Sequence, residues 1–351
     1  MRQKLRQWLS PPDPSVNYNT ACSLHHKGTA EWFTNGPVFA DWKKSGSLLW
    51  VYGKRTFSLC AFALRKQTSR PIAGSGKSVL RYASTPTPTR FDQGSLYHRI
   101  SISSAIIRDI KCITNTGSAH VAYFFFDFQD AGKQDSRGLL SSVLHQLCEQ
   151  SLSSLDILSH LYSTHHDGSE QPDDDALRQC LKDMLAIAGQ VPIYLVVDAL
   201  DESPNARGVP SSRRRVLDLV KELVGLNCPN LRLGVTSRDE MDIRIVLESL
   251  TPTSLSLHNQ KGQNKDIVDY VTSVVYSDPE LNMRGWREED RKLVITTLSR
   301  RAGGMWGRRC LTCHAFSYRE TGFVGFIVKL KFFGSVLRGI CDVPSTNCPK
   351  R

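Results

Sequence analysis

The sequence lacks any long hydrophobic run. Nowhere in its 351 residues do apolar side chains continue for the roughly 20 positions that a membrane-spanning helix needs. The opening stretch MRQKLRQWLSPPDPS begins with basic residues but has no apolar core behind them, as a secretion signal would. These absences exclude a membrane-spanning helix and favour a soluble, cytoplasmic protein with no membrane partner.

Acidic residues are fewer than basic ones, 34 against 45, which gives a net charge of +11. A basic balance is typical of proteins that bind nucleic acids. Here, however, the excess lies in three segments: residues 55–72 carry +4, residues 81–101 carry +2 and residues 306–351 carry +6, whereas the rest of the chain carries −1. We therefore predict that the protein has no specific nucleic-acid partner.

The ten cysteines have none of the regular spacing of a disulfide framework, and we expect reduced thiols. The stretch CLTCH at Cys310–His314 matches a haem-attachment pattern, and Cys341 and Cys348 offer two more sulfur ligands for a zinc site. That second pair has six residues between its members rather than two, and haem attachment belongs to another compartment. We expect neither a haem nor a zinc site.

The strongest motif present is PIAGSGKS, residues 71–78. In the phosphate-loop pattern GxxxxGK(S/T), backbone N–H groups cradle phosphates, the lysine reaches the outer phosphates and the hydroxyl holds Mg²⁺. Five residues are candidate nucleotide ligands on this pattern: Gly74, Ser75, Gly76, Lys77 and Ser78. Pro71, however, stands where the first glycine belongs, and proline has no N–H to donate.

An extra segment explains this mismatch. The predicted strand SLLWVYGK at residues 47–54 should lead directly into the loop, but Arg55–Ile72 intervenes. Without that segment the chain reads VYGKAGSGKSVL, and Gly53 becomes the first glycine of a complete motif. A second segment, Arg81–Ser101, interrupts the helix expected after Lys77, and its two prolines do not fit inside a helix. Both segments have the character of short introns translated in frame.

Beyond residue 101, strand-like and helix-like stretches alternate. Such alternation predicts a parallel α/β sheet with helices on both faces. The predicted strands are HVAYFFFDF, PIYLVVDAL, LRLGVTSR and SLSLH, and the helices between them are SRGLLSSVLHQLCEQS, DDDALRQCLKDMLAIAG, SRRRVLDLVKELVGL and MDIRIVLESL.

Two of these strands end in polar residues suited to phosphate chemistry. IYLVVDALDES places Asp198 at the end of a buried strand, the position that holds Mg²⁺ in phosphate-loop enzymes. Asp201 and Glu202 follow closely enough to orient or deprotonate an attacking water. LRLGVTSRDE ends in Arg238, which is able to pair with a terminal phosphate. The alternative interpretations are a solvated turn for DALDE and a surface salt bridge for Arg238.

Together these blocks resemble the NACHT domain of fungal STAND proteins, the group often called nephrocystin-like N-terminal. The resemblance runs from about Gly28 to Met305 and includes LLWVYGK, GSGKSVL, HVAYFFFDFQDAGKQDSRGLLSSVLHQL, PIYLVVDALDES and LRLGVTSRDE. It implies a P-loop NTPase core, a three-layer sandwich with sheet order 5-1-4-3-2. It also implies a nucleotide-controlled switch that self-associates, with an effector upstream and ligand-sensing repeats downstream.

The same resemblance implies roles for single residues. Lys77 and Ser78 would bind phosphates and Mg²⁺, and Asp198 would hold the metal through water. Asp201 or Glu202 would serve hydrolysis of ATP or GTP, and Arg238 would match the family's sensor. The chain departs from the family in its split phosphate loop, its interrupted helix and the absence of any repeats.

We predict four regions. These are an N-terminal lead-in with short helices at 1–45, a NACHT-type core at 46–258 with inserts at about 55–72 and 81–101, a partial helical arm at 259–305, and an aberrant or disordered tail at 306–351 that resembles an intron read-through. Two alternatives stay open: a non-catalytic interaction fragment whose phosphate site does not assemble, and another P-loop enzyme such as a kinase or helicase.

Overall fold

The computed structural model describes nine stretches of the chain. They are residues 1–23, 28–45, 47–53, 93–187, 189–206, 210–251, 253–257, 260–277 and 287–302. The phosphate-loop motif, the predicted insert at 55–72 and the predicted tail at 306–351 lie outside these residues.

Five parallel strands form one sheet within the described residues. They are β1 (Leu48–Gly53), β2 (His120–Phe125), β3 (Ile193–Asp198), β4 (Leu231–Arg238) and β5 (Ser254–Ser256). Their order across the sheet is β2-β3-β4-β1-β5, and every pairing is parallel. Read from the other edge, this is the predicted order 5-1-4-3-2, which is therefore confirmed.

Twelve α-helices accompany the sheet in the part of the chain that the structure describes. They are α1 (Arg2–Leu9), α2 (Ser15–Ser23), α3 (Glu31–Thr34), α4 (Pro37–Ser45), α5 (Gln93–Thr114), α6 (Ser136–Gln150), α7 (Leu152–Thr164), α8 (Asp174–Leu185), α9 (Ser212–Gly225), α10 (Met241–Leu250), α11 (Lys261–Ser277) and α12 (Glu288–Ala302). Asp135, Asp173 and Ser211 cap α6, α8 and α9 through their side chains.

The helices cover both faces of the sheet, as the near-continuous apolar strands predict. Successive side chains of a strand point to opposite faces, so Leu48 and Trp50 join one core and Leu49 and Val51 the other. The first core packs against α1 and helices α6 to α10, and the second against α3, α4 and α5. The predicted three-layer sandwich is confirmed.

The N-terminal lead-in is anchored by its aromatic residues. Phe33, Phe39 and Trp42 are buried in the second core. The Trp42 indole N–H donates to the carbonyl of Leu233 in β4 at 3.2 Å. These contacts attach the lead-in to the centre of the sheet.

Helix α5 extends further towards the N-terminus than the sequence suggested. We expected residues 81–101 to interrupt a helix, but α5 begins at Gln93 and continues without a break to Thr114. The two prolines of PTPT precede this start and lie outside the described residues.

The chain divides into two compact units. The described residues of the first are those up to Ile267, and those of the second run from Val268 to Ala302. The first unit holds the whole sheet. The second holds the end of α11 and all of α12.

Candidate functional site

The candidate site lies at the carboxyl edge of the sheet. Strands β1, β3 and β4 end there in Gly53, Asp198 and Arg238, and Gly53 pairs with Arg238 in register. In open parallel sheets, ligands bind outside this edge. The described chain breaks off at Gly53, and the predicted ligands Gly74, Ser75, Gly76, Lys77 and Ser78 lie outside the described residues.

Asp198 is buried at the end of β3, with 1% of its surface exposed. One of its carboxylate oxygens, Oδ1, accepts hydrogen bonds from two hydroxyls, that of Ser103 in α5 and that of Thr236 in β4. A buried carboxylate needs such donors to offset its lost hydration. Asp198 is therefore fixed in orientation from both a neighbouring strand and the helix below it.

The turn that follows Asp198 is tight. Ala199 has a left-handed backbone, with φ of 56°, and its N–H donates to the Thr236 hydroxyl at 3.1 Å. One turn of 3-10 helix, Leu200–Glu202, comes next, and the Glu202 N–H donates to the carbonyl of Ala199 at 2.8 Å. This conformation buries Asp201 and Glu202 beside the sheet edge, so the solvated turn considered from the sequence is wrong.

Asp201 and Arg238 lie together and pair with each other. The Arg238 Nε lies 3.2 Å from Asp201 Oδ2, and the backbone N–H of Arg238 donates to Asp201 Oδ1 at 2.8 Å. The Asp201 side chain is 1% exposed and that of Arg238 is 19% exposed. The pair is thus largely withdrawn from water, unlike the surface salt bridge considered for Arg238.

The other acidic residues after β4 also have cationic partners. Asp239 accepts hydrogen bonds from the Arg244 guanidinium, which raises the pKa of Arg244 above its usual value. Glu240 and Asp242 both accept hydrogen bonds from Arg213 of α9. These arginines offset part of the negative charge at the edge.

Trp50 links the strand that leads to the phosphate loop with the strand that ends in Arg238. Its indole N–H donates to the Ser237 hydroxyl at 2.9 Å in the buried interior. The ring of Tyr52 stacks on that of Trp50 with 4.2 Å between centroids. The ends of β1 and β4 are therefore held by side chains as well as by their backbone ladder.

The oxygen atoms around Asp198 suit Mg²⁺ better than a transition metal. Mg²⁺ prefers carboxylate and hydroxyl oxygens and is usually held by one or two carboxylates together with substrate phosphates. Among the residues described, no group of three or more His, Cys, Asp or Glu side chains is arranged to hold a metal ion. A Mg²⁺ that is also bound by a nucleotide needs only one or two protein carboxylates, and Asp198, with the hydroxyls of Ser103 and Thr236 beside it, fits that need.

Two residues of the site were not predicted from the sequence. Ser103 contacts Asp198 from 95 positions away in the chain. Arg213 donates hydrogen bonds to the backbone of the acidic turn. A sequence signal existed only for Arg213, as the first of three consecutive arginines after that turn, and it did not distinguish the three.

None of the helices that the structure describes has the length and apolar character needed to cross a bilayer.

Comparison with known proteins gives one family match. The family described as nephrocystin 3, N-terminal, matches residues 101–238, from α5 to the end of β4. Curated protein sequences yield no match. The matched region contains Ser103, Asp198, Asp201, Glu202 and Arg238, so the chain is similar to this family across most of the candidate site.

Solved structures give distant similarities. A chain in a structure of Drosophila ORC bound to AT-rich DNA and Cdc6 is 9% identical, with a TM-score of 0.32 over 85% of this chain and 82% of that one. A chain in a structure of Drosophila ORC bound to GC-rich DNA and Cdc6 is 12% identical, with a TM-score of 0.20 over 75% of this chain and 100% of that one. Similarity at this level carries no functional inference.

Proposed function

We propose that the protein binds a nucleoside triphosphate, ATP or GTP, with Mg²⁺ at the carboxyl edge of the sheet. The observation that carries this proposal is the position of Asp198, buried at the end of β3 and fixed by hydroxyls from α5 and β4. The sheet order supports it, because β1 lies beside β4 and leads towards the GSGKS motif.

The charges at this edge agree with a metal-dependent nucleotide. Six carboxylates lie on or near it, and among the described residues three arginines pair with members of this group: the carboxylates are Asp198, Asp201, Glu202, Asp239, Glu240 and Asp242, and the arginines are Arg213, Arg238 and Arg244. Carboxylates at close range repel a bare triphosphate. Mg²⁺, which neutralises phosphate charge when bound, and the Lys77 ammonium would make binding favourable.

Within this function the residues take distinct roles. Lys77 and Ser78 bind phosphates and Mg²⁺, and Asp198 holds the metal through water. Because Asp201 accepts a hydrogen bond from the backbone N–H of Arg238 and its carboxylate forms an ion pair with the Arg238 guanidinium, we assign Asp201 to positioning Arg238. Glu202 then orients or deprotonates the attacking water. Arg238 senses the terminal phosphate when its guanidinium leaves Asp201 and pairs with the phosphate instead.

The switch built from these parts is of the STAND type. Binding and slow hydrolysis of the nucleotide control self-association of the core, with effector or repeat domains as partners beyond this chain. A role in fungal non-self recognition follows from the sequence resemblance to that group. The proposed switch is tested by light scattering, which measures whether the protein oligomerises in response to nucleotide.

A second candidate function is a non-catalytic interaction fragment. The Asp201–Arg238 pair favours it, because the residue predicted to sense phosphate is already engaged by a carboxylate. In this case the scaffold folds and nucleotide does not bind. The two candidates differ in a single property, the affinity for Mg²⁺–ATP.

A lysine variant tests the proposed function. In a shortened variant that lacks Arg55–Ile72 and Arg81–Ser101, Lys77→Ala is expected to weaken Mg²⁺–ATP binding by about tenfold to a hundredfold, the loss of one charge-assisted hydrogen bond. Calorimetric titration measures it, and Lys221→Ala on α9, a partly exposed lysine paired with Asp218, is the matched control. Equal affinity with and without Lys77 would show that this motif does not bind the nucleotide.

A further inference from the structure

Arg213 differs from the two arginines beside it. It is the first of three consecutive arginines at the start of α9, and it is 7% exposed, whereas Arg214 and Arg215 are exposed. An arginine is rarely buried unless its donors are satisfied. Its burial at this edge therefore needs an explanation from its contacts.

The guanidinium of Arg213 joins two turns of the candidate site. Its Nε donates to the carbonyl of Ser203 at 3.0 Å, and its Nη2 donates to the carbonyl of Asp201 at 2.5 Å. Its Nη1 donates to Glu240 Oε2 at 2.7 Å and to Asp242 Oδ2 at 3.2 Å. One side of the fork thus binds the backbone of the acidic turn, and the other binds the carboxylates that follow Arg238.

This arrangement uses properties that only arginine has. The guanidinium is planar, permanently charged and carries five N–H donors in a rigid fork, so it satisfies two carbonyls and two carboxylates at once. The same two turns carry Asp201 and Arg238, which pair through their side chains. Arg213 is therefore a second bridge that does not depend on the Asp201–Arg238 pair.

We propose that Arg213 is a positioning residue that couples the acidic turn to the turn after β4. It holds the two backbones in register, so that Arg238 is able to leave Asp201 for a phosphate without separating the turns. The role of this coupling in phosphate sensing rests on the proposed function. The coupling itself is a property of the protein without nucleotide.

Amide hydrogen exchange of the full chain without nucleotide tests the coupling. In Arg213→Gln, the amides of Glu202, Ser203, Arg238 and Arg244 are expected to exchange at least tenfold faster than in the unaltered protein, because both turns lose their shared bridge. Amides inside β3, such as that of Val196, are expected to keep their rates. Arg215→Gln removes the same charge from the same helix and is expected to change none of these amides.

The Arg213→Lys variant distinguishes a positioning role of Arg213 from a role in packing alone. Lysine keeps the charge and the apolar stem but presents its donors at one point, so it is able to bind Glu240 and Asp242 and not the two carbonyls as well. We expect it to restore slow exchange at Arg238 and Arg244 and to leave Glu202 and Ser203 fast. A residue that acts only by packing would restore both turns or neither.

Three results would overturn the proposal. All three concern Arg213→Gln: unchanged exchange, faster exchange in one turn only, and an equal increase in β3. The last would make Arg213 a residue of general stability. Since no nucleotide is present, failure here leaves the proposed function standing. Conversely, an absence of Mg²⁺–ATP binding would leave the coupling intact and remove only its role in sensing.

Discussion

The shortened variant, which lacks Arg55–Ile72 and Arg81–Ser101, is expected to bind Mg²⁺–ATP a hundredfold to a thousandfold more tightly than the full chain. A phosphate loop works because several N–H groups converge on one anion. In the full chain the first position of the motif is Pro71, which has no N–H, and Arg70 before it is driven towards extended geometry. The loss of two or three charge-assisted hydrogen bonds, each about 1.5–3 kcal/mol, turns a micromolar site into a millimolar one.

The second deletion also removes Gln93–Ser101, the first part of α5. Once residues 81–101 are removed, Ser78 stands four positions before Ser103 in the sequence. Residues four apart share one face of a helix, and Ser103 contacts Asp198. If the shortened helix runs through both serines, we expect the Ser78 hydroxyl on the face that meets Asp198, the carboxylate proposed to hold the metal.

Calorimetric titration of the full chain and the shortened variant measures this effect. The deletion of Arg55–Ile72 alone is the intermediate case, in which the sequence motif is restored and residues 81–101 are retained. An affinity in the micromolar range for the full chain would show that the inserted residues are tolerated by the site. Circular dichroism of each variant checks that the sheet is retained, which is expected because an extra loop of about 18 residues adds only a few kcal/mol of closure entropy.

Glu202→Gln in the shortened variant is expected to lower kcat for ATP hydrolysis by about 10² to 10⁴ and to leave ATP affinity nearly unchanged. A positioned general base contributes acceleration of this size, and glutamine keeps the shape of the side chain without its basicity. Asp201 is not the first choice for this role, because its carboxylate already accepts a hydrogen bond from the Arg238 backbone N–H and forms an ion pair with the Arg238 guanidinium.

Asp201→Asn is the matched comparison for Glu202→Gln. It is expected to weaken the pairing of residue 201 with the Arg238 guanidinium, and so to change the affinity for ATP more than Glu202→Gln does. Steady-state phosphate release gives kcat for both variants. If Glu202→Gln hydrolyses ATP at the rate of its parent, Glu202 has no part in the reaction and the role passes to Asp201.

The strands and their order could be predicted because their signals are local or belong to the resemblance. Apolar runs such as YLVVD and LRLGV are long enough to identify buried strands without knowledge of their neighbours. The order 5-1-4-3-2 came from the resemblance alone, since nothing in a single strand specifies which strand lies beside it.

Helix α7 was not predicted, and α1 was covered only by the general expectation of short helices at 1–45; the reason lies in tertiary packing. The sequence of α1 is short and largely polar, and its burial depends on Leu5, Trp8 and Leu9 meeting partners far along the chain. The Trp8 indole N–H donates to the carbonyl of Glu170, and its ring packs edge-on against Tyr162 of α7. Local patterns contain no trace of such contacts.

In the candidate site, too, some features were predicted from the sequence and others were not. Asp198, Asp201, Glu202 and Arg238 were identified because they end predicted strands, and the structure brings them to one edge. The pairing of Asp201 with Arg238 was not foreseen, since Asp201 had been assigned to the attacking water and Arg238 to the terminal phosphate. Pairings across 37 positions depend on the positions of two turns, which strand periodicity does not report.

The magnesium dependence of ATP affinity in Asp198→Asn tests the central claim most directly. In the shortened variant, removal of Mg²⁺ with a chelator is expected to weaken ATP binding by tenfold or more, because in the proposed site Asp198 holds the metal that neutralises the phosphates. With Asp198→Asn in the same background, calorimetry is expected to give one low affinity with and without Mg²⁺. If Asp198→Asn retains the full magnesium dependence of its parent, the metal is held elsewhere and the proposed site is wrong.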